Sequence, residues 1–405
     1  MPSICLYFHV HQPYRINKFS VFNIGQNNPY FDEKKNKFYL ERIARKCYLP
    51  ANTLLLNLIK KYKNKFKISF SITGLILEQL EKDFPDVLNS FKKLVKTGHC
   101  ELIAETYHHS LAFLYSQSEF KKQIAQHKKK LKDIFDYTPI TFRNTELSFN
   151  NEMAKTIEQM GYKTVLTEGA NQILGWRSPD FVYKAHGTKN LKILMRNYQL
   201  SDDISFRFSS KEWNEWPLTV DKFTQWVNRI NGNGQVVNLF MDYETFGEHQ
   251  WEDTGIFQFL ENLPKEILKN KDNNFKTPSE ITKLYNAVGD VDCPNTISWA
   301  DTERDLSAWL GNQMQREAVQ KIYAMEPQIM LTKSKPLIAD WRKLQTSDHF
   351  YYMCTKWFSD GDVHKYFNPY ESPYDCFISY MNILSDLQLK LEKGYNKIKV
   401  SRNNN

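Results

Sequence analysis

A chain of 405 residues that is 41% hydrophobic and 25% charged is long enough to bury a large core, which excludes disorder as the default. Its net charge of +8 comes from lysines spread in ones, twos and threes along surface-type segments such as 60–67 and 128–132. No basic arm forms, so nucleic acid is not an expected partner. Six cysteines, at 5, 47, 100, 293, 354 and 376, include no pair at CxxC spacing, which argues against a zinc knuckle or a disulfide framework and for free thiols in a reducing compartment. No stretch reads as a signal peptide or a membrane span, so a cytoplasmic protein with no membrane partner is expected. Aromatic residues make up 14%, enough to fill a core and still offer stacking faces to sugar rings.

Short apolar β-rich runs alternate with longer amphipathic segments up to about residue 260, the mark of parallel βα units. The first strand, 4–10, runs into His9-Val10-His11-Gln12-Pro13. Residues at i and i+2 of a strand share a face, so His9 and His11 project together, and Pro13 ends the strand just beyond them. Two imidazoles on one face suit either a metal or a polyhydroxylated ligand, and ordinary hydrogen-bonded histidines are the bland alternative.

A helix over 51–63, a strand over 67–72 and a helix over 86–97 follow, the last stopped by Gly98. The strand expected at 100–106 places Glu101, Ile103 and Glu105 on one face, and two acids there are costly unless they pair or bind something. After a helix over 118–135 comes a strand over 141–147, closing on Glu146 with Arg143 three residues earlier as a potential guanidinium partner. A helix over 151–160 ends at Gly161, and strands are expected over 164–168 and 192–196.

The last strand, 236–243, is almost continuously apolar and runs straight into Asp242-Tyr243-Glu244. A strand so apolar is buried on both faces, so its acidic end must enter a cleft or pair with other groups. Glu146 and Asp242 then supply the two carboxylates that glycosidic cleavage needs, one to attack the anomeric carbon and one to protonate the leaving oxygen. Beyond about 270 the strand signal fades, segments 305–325 and 380–393 read as helices, and 401–405 reads as a disordered tail. Seven strands with intervening helices suit a closed or nearly closed barrel or a doubly wound open sheet; local pattern does not separate the two.

Five segments together resemble glycoside hydrolase family 57: His9 to Pro13; Gly98-His99-Cys100-Glu101; Asn144-Thr145-Glu146; Asp242 to Gly247; and Ser298 to Asp305, continuing to Trp309. The resemblance implies an α/β fold, an incomplete (β/α)7 barrel over 1–270 with a helical domain over 271–405 that contributes to the active-site cleft. It implies a retaining α-amylase-type hydrolase of α-1,4-glucan (starch, glycogen or maltooligosaccharides), with Glu146 as nucleophile and Asp242 as acid/base. His9, His11, Glu101, Tyr243, Trp299, Asp301 and Trp309 would contact substrate, Trp299 as a stacking wall, with no metal or cofactor. Arg143 departs from the pattern, since many members have Trp there.

For the retaining reaction the two carboxyls should lie about 5 to 6 Å apart, and burial beside an ionised Glu146 should raise the pKa of Asp242. The rival readings are a 4-α-glucanotransferase or branching enzyme, a catalytically silent glucan-binding protein, and a metal-dependent polysaccharide deacetylase. The last wants a His-x-x-x-His motif, and this chain has none. Hydrolysis versus transfer, chain-length preference and oligomeric state are not readable from the sequence.

Overall fold

The computed structural model describes residues 2–356 and 368–403. The chain divides into two compact units: the first comprises 1–11, 39–106 and 124–299, the second 12–38, 107–123 and 300–405.

The first unit carries the strands β1 (Ser3–Val10), β2 (Ile68–Ile72), β3 (Cys100–Leu102), β4 (Thr141–Arg143), β5 (Thr164–Glu168), β6 (Tyr183–Ala185), β7 (Lys192–Arg196), β8 (Val236–Asp242), β9 (Asn274–Phe275) and β10 (Asp290–Val291). They form two sheets, ordered β3-β2-β1-β8 with β9 also on β1, and β10-β6-β7-β5-β4. All pairings are parallel except β6 with β7.

Hydrogen bonding continues from one sheet to the other. Past β3, Ala104 bridges Phe142 of β4 in parallel, and past β7 the Asn197 N–H donates to the Asn238 carbonyl of β8 at 2.9 Å. The seven strands expected from the sequence therefore follow one another in the cyclic order β8-β1-β2-β3-β4-β5-β7 and nearly close a ring. The fold is α/β, with the helices Leu49–Tyr62, Pro85–Val95 and Asn151–Gln159 within two residues of their expected bounds. Gly98 and Gly161, at φ 74° and 91°, follow the last two.

Because successive side chains on a strand point to opposite faces, the ring sorts its residues into two rows. On β1, Ile4, Leu6, Phe8 and Val10 join the core cluster shared with the helices, while Cys5 and Tyr7 join a second cluster with Leu166, Leu194 and Phe240. His9 is next in that second row. On β8 the same row runs Val236, Phe240, then Asp242, and Val237, Leu239, Met241 and Tyr243 belong to the other.

The second unit is helical: Ser307–Leu310, Gln313–Ala324, Glu326–Thr332, Lys335–Lys343, Ser347–Tyr351 and Pro373–Asn403. The single helix expected over 305–325 is broken in two, because Asn312 takes an extended conformation and caps the second piece in a reciprocal box with Gln315. Trp341 is fully buried and donates its indole N–H to the Ile322 carbonyl at 2.7 Å. Arg342 forks onto the buried Glu119 at 2.7 and 3.0 Å. The last helix extends to Asn403, into the segment 401–405 expected as a tail; 404–405 lie outside the described residues. No described helix is long and apolar enough to cross a membrane, and all six cysteines are buried free thiols.

Candidate active site

The C-terminal ends of β1, β4 and β8, with the chain just past β3, bring four polar side chains of the first unit together. This is the end of a parallel ring at which active sites are built. His9 lies opposite Asp242 in the β1–β8 register and opposite Ser71 on β2. Its ring is 3% exposed, with Nδ1 3.3 Å from Asp242 Oδ1 and Nε2 3.4 Å from Glu105 Oε2. Arg143, fully buried, brings Nη1 to 3.4 Å from His9 Nε2 and 3.6 Å from Glu105 Oε2. The Glu105 backbone N–H donates to His127 Nδ1 at 3.1 Å, and His127 Nε2 donates to the Ile72 carbonyl at 2.8 Å, which fixes where that acid stands. Burial pushes the His127 pKa down, against the pull of Glu105.

Asp242 keeps 38% of its side chain exposed, so it faces the open end of the ring. Burial raises its pKa, but the hydrogen bond and charge of His9, with His249 and Arg143 further out, more than offset that and hold the carboxyl below the usual carboxylate range. The expectation of a raised value is thus reversed, because it counted burial and a second acid and omitted the histidine across the strand pair.

Glu146 stands on a turn, not on a strand. β4 stops at Arg143, and Glu146 and Leu147 both take left-handed conformations at φ 58° and 50°. Each costs about 1 to 2 kcal/mol for a residue with a Cβ. The turn is held from outside: the Ser298 hydroxyl donates to the Glu146 carbonyl at 2.9 Å, and the Trp299 indole N–H donates to Glu146 Oε2 at 2.9 Å. Thr145 and Thr106 hydroxyls meet at 2.7 Å behind it.

Trp299 lies under two guanidiniums, Arg143 at 5.2 Å and Arg196 at 5.9 Å from its ring, with the His9 ring edge-on at 6.3 Å. An indole so flanked, with its N–H on Glu146, is placed at the carboxylate itself. His11 stacks on His9 with ring centres 5.8 Å apart and bonds Thr73 at 2.9 Å.

Three further residues were expected to contact substrate. Tyr243 is fully buried in the outward row, among Phe8, Phe70, Phe91 and Tyr48, with its hydroxyl on Asn52 at 2.8 Å. Strand alternation sends Asp242 inward and Tyr243 outward, so Tyr243 is a core residue. Asp301 and Trp309 belong to the second unit, where Lys356 approaches Asp301 at 3.4 Å and Trp309, 2% exposed, packs on Tyr351.

Glu101 lies opposite Ser69, which in turn faces Tyr7, two residues short of His9. Its carboxylate accepts from the Thr141 hydroxyl at 2.5 Å and the Ser279 backbone at 3.0 Å. The acid of that row that reaches His9 is Glu105, and its place on the same strand face as Glu101 is the signal that points to it.

A model of glycosyl hydrolase family 57 matches residues 5–294. The protein named "Putative alpha-amylase" of Methanocaldococcus jannaschii is 45% identical over 98% of this chain and 86% of its own length. In structure, the chain is similar to a family-57-type branching enzyme of Pyrococcus horikoshii, with a TM-score of 0.69 at 15% identity over 98% of this chain and 91% of the other. It is also similar to a 4-alpha-glucanotransferase of Thermococcus litoralis, with a TM-score of 0.62 at 16% identity over 86% of this chain, which spans only 56% of that one.

Proposed function

The chain belongs to glycosyl hydrolase family 57, and from that membership we propose that it is a retaining enzyme of α-1,4-glucan, of α-amylase type, with Glu146 as nucleophile and Asp242 as acid/base. The observation that carries this reading is the unlike treatment of two carboxylates at one end of one ring: Glu146 oriented by a neutral indole donor, Asp242 open to solvent and bonded to a histidine.

In the first step a Glu146 oxygen bonds to the anomeric carbon from one face while the bond to the leaving oxygen breaks on the other, and Asp242 gives its proton to that oxygen. The left-handed turn keeps the attacking carboxylate from retreating, since any relaxation must also break its bonds to Ser298 and Trp299. In the second step Asp242 takes a proton from water, the hydroxyl bonds to the anomeric carbon, and Glu146 leaves as a carboxylate. A glucan hydroxyl in place of water gives transfer, the reaction for which two of the structural relatives, a 4-alpha-glucanotransferase and a branching enzyme, are named.

Asp242 is held ionised in the free protein, so it must gain its proton as substrate binds. A glucan covering the exposed 38% of that side chain strengthens the burial that already raises its pKa. NMR of the first product released from maltooligosaccharide tests the reading. The α-anomer is expected; a β-anomer would mean inversion and overturn Glu146 as nucleophile.

A further inference from the structure

Two buried arginines flank Trp299, and only one of them is accounted for by its neighbours. Arg196 donates Nε to the Phe240 carbonyl at 2.8 Å, Nη1 to Glu168 at 3.2 Å and Nη2 to Asp202 at 2.5 Å. Arg143 is equally buried, yet the carboxylate that comes within ion-pair distance of it among the described residues, Glu105, is 3.6 Å from Nη1, longer than a charge-assisted bond. Nε and Nη2 have no hydrogen-bond partner among the described residues. Leaving two buried donors in that state costs about 1 to 3 kcal/mol apiece. A side chain kept at such cost is not there to neutralise Glu105, which a fork would do better.

What Arg143 does touch is the pair of groups that hold the two carboxylates. Its guanidinium lies over the face of Trp299, whose indole N–H binds Glu146 Oε2. Its Nη1 faces His9 Nε2, while His9 Nδ1 faces Asp242. Nε2 thus stands between the Arg143 donor and the Glu105 carboxylate, 3.4 Å from each, and these two groups hold the ring from one side while Asp242 meets Nδ1 on the other.

β4 makes this reach possible. Its backbone is held on both sides, Arg143 N donating to the Ala104 carbonyl at 2.8 Å and the strand pairing β5 with Arg143 opposite Leu166. Strand alternation turns Phe142 outward onto Tyr162 and Arg143 inward.

We propose that Arg143 is a positioning residue that sets both carboxylates at once: it fixes the Trp299 plane that orients Glu146, and it fixes the His9 ring that orients Asp242. The inference rests on the assignment of those two acids under the proposed function. It predicts that neither holder works alone once the guanidinium is gone.

The test uses the full chain with Arg143→Ala and Arg143→Lys, assayed on maltooligosaccharide with melting temperature measured in parallel. Arg143→Ala should lose about 100-fold in kcat with KM changed less than about threefold, because orientation of the reacting groups is lost and substrate contacts remain. Arg143→Lys, of similar reach and the same charge but without a planar fork, should recover only a minor part of the loss.

Guanidinium ion at tens of millimolar should restore kcat to Arg143→Ala and not to Glu146→Gln, while urea at the same concentration, planar but neutral, should not. A merely structural arginine would show a loss of kcat that tracks the folded fraction, with no guanidinium rescue. That outcome, or a kcat for Arg143→Ala within twofold of the unaltered protein, overturns the inference. If the unaltered protein itself does not turn over maltooligosaccharide, the assay fails at its reference, and it is the functional reading that falls.

Discussion

The two carboxylate corners of the site are built on opposite plans. Glu146 sits on strained left-handed backbone and takes a bond from a neutral indole that cannot ionise. Asp242 sits on relaxed extended backbone and takes its bond from an ionisable imidazole. The first corner is fixed by geometry and the second is tuned by charge. That suits a nucleophile, which must stay ionised and aimed, and an acid/base, which must change state twice in a turnover.

The sharpest way to break this comparison is to remove the nucleophile's chemistry while keeping its shape. Glu146→Gln should still accept the Trp299 N–H and preserve the turn, so the melting temperature should hardly move. Turnover of starch or maltooligosaccharide should nevertheless fall by about 1,000-fold or more, since an amide cannot form the glycosyl-enzyme bond. A variant keeping more than about a tenth of the activity would reject the assignment.

A smaller change removes only what aims Glu146. Trp299→Phe keeps an aromatic face beneath Arg143 and Arg196 but deletes the N–H to Glu146 Oε2. Loss of one hydrogen bond to a charged group is worth about 1.5 to 3 kcal/mol, so kcat should drop by about 10- to 100-fold with KM little altered. A rise in KM with kcat intact would instead restore Trp299 to the role of a stacking wall for glucan.

Much of this architecture was legible in the sequence because parallel strands buried on both faces announce themselves as apolar runs. β1 and β8 are of that kind, and the acid at the end of β8 is visible as charge where burial forbids it. The division into units was not legible. Segments 12–38 and 107–123 leave the ring at strand ends and belong to the second unit, and nothing local marks such excursions. Motif resemblance puts Tyr243 beside Asp242 at the site, whereas alternation along 236–243 sends the two side chains to opposite faces. The same resemblance names Glu101 rather than Glu105, because a motif names positions, while register decides which of two acids on one face reaches His9. Sequence spacing pairs Arg143 with Glu146, three residues on, and the turn that begins after it directs the guanidinium to His9 and Trp299.

The mildest perturbation tests the tuned corner. His9 is the first of the groups that lower the Asp242 pKa, through its hydrogen bond and its charge, against the opposing effect of burial; His249 and Arg143 contribute less. His9→Asn keeps a donor near Asp242 but removes the ionisable ring, so the carboxyl should move up toward the value burial alone would give it. Asp242 must be protonated to act as acid, and in kcat/KM the alkaline limb reports that ionisation in the free enzyme. A pKa released upward therefore shifts this limb to higher pH, by about one unit if the loss of one charge-assisted bond of about 1.4 kcal/mol is all that changes. The alkaline limb of kcat, which reports the substrate complex where Asp242 is covered, should already lie above that of kcat/KM in the unaltered protein and should move less in the variant. Activity at the optimum should fall by no more than about tenfold, since the attacking corner is untouched. An alkaline limb of kcat/KM that stays in place, or moves to lower pH, would show that His9 does not set the charge of Asp242, and the contrast between the two corners would lose its electrostatic half.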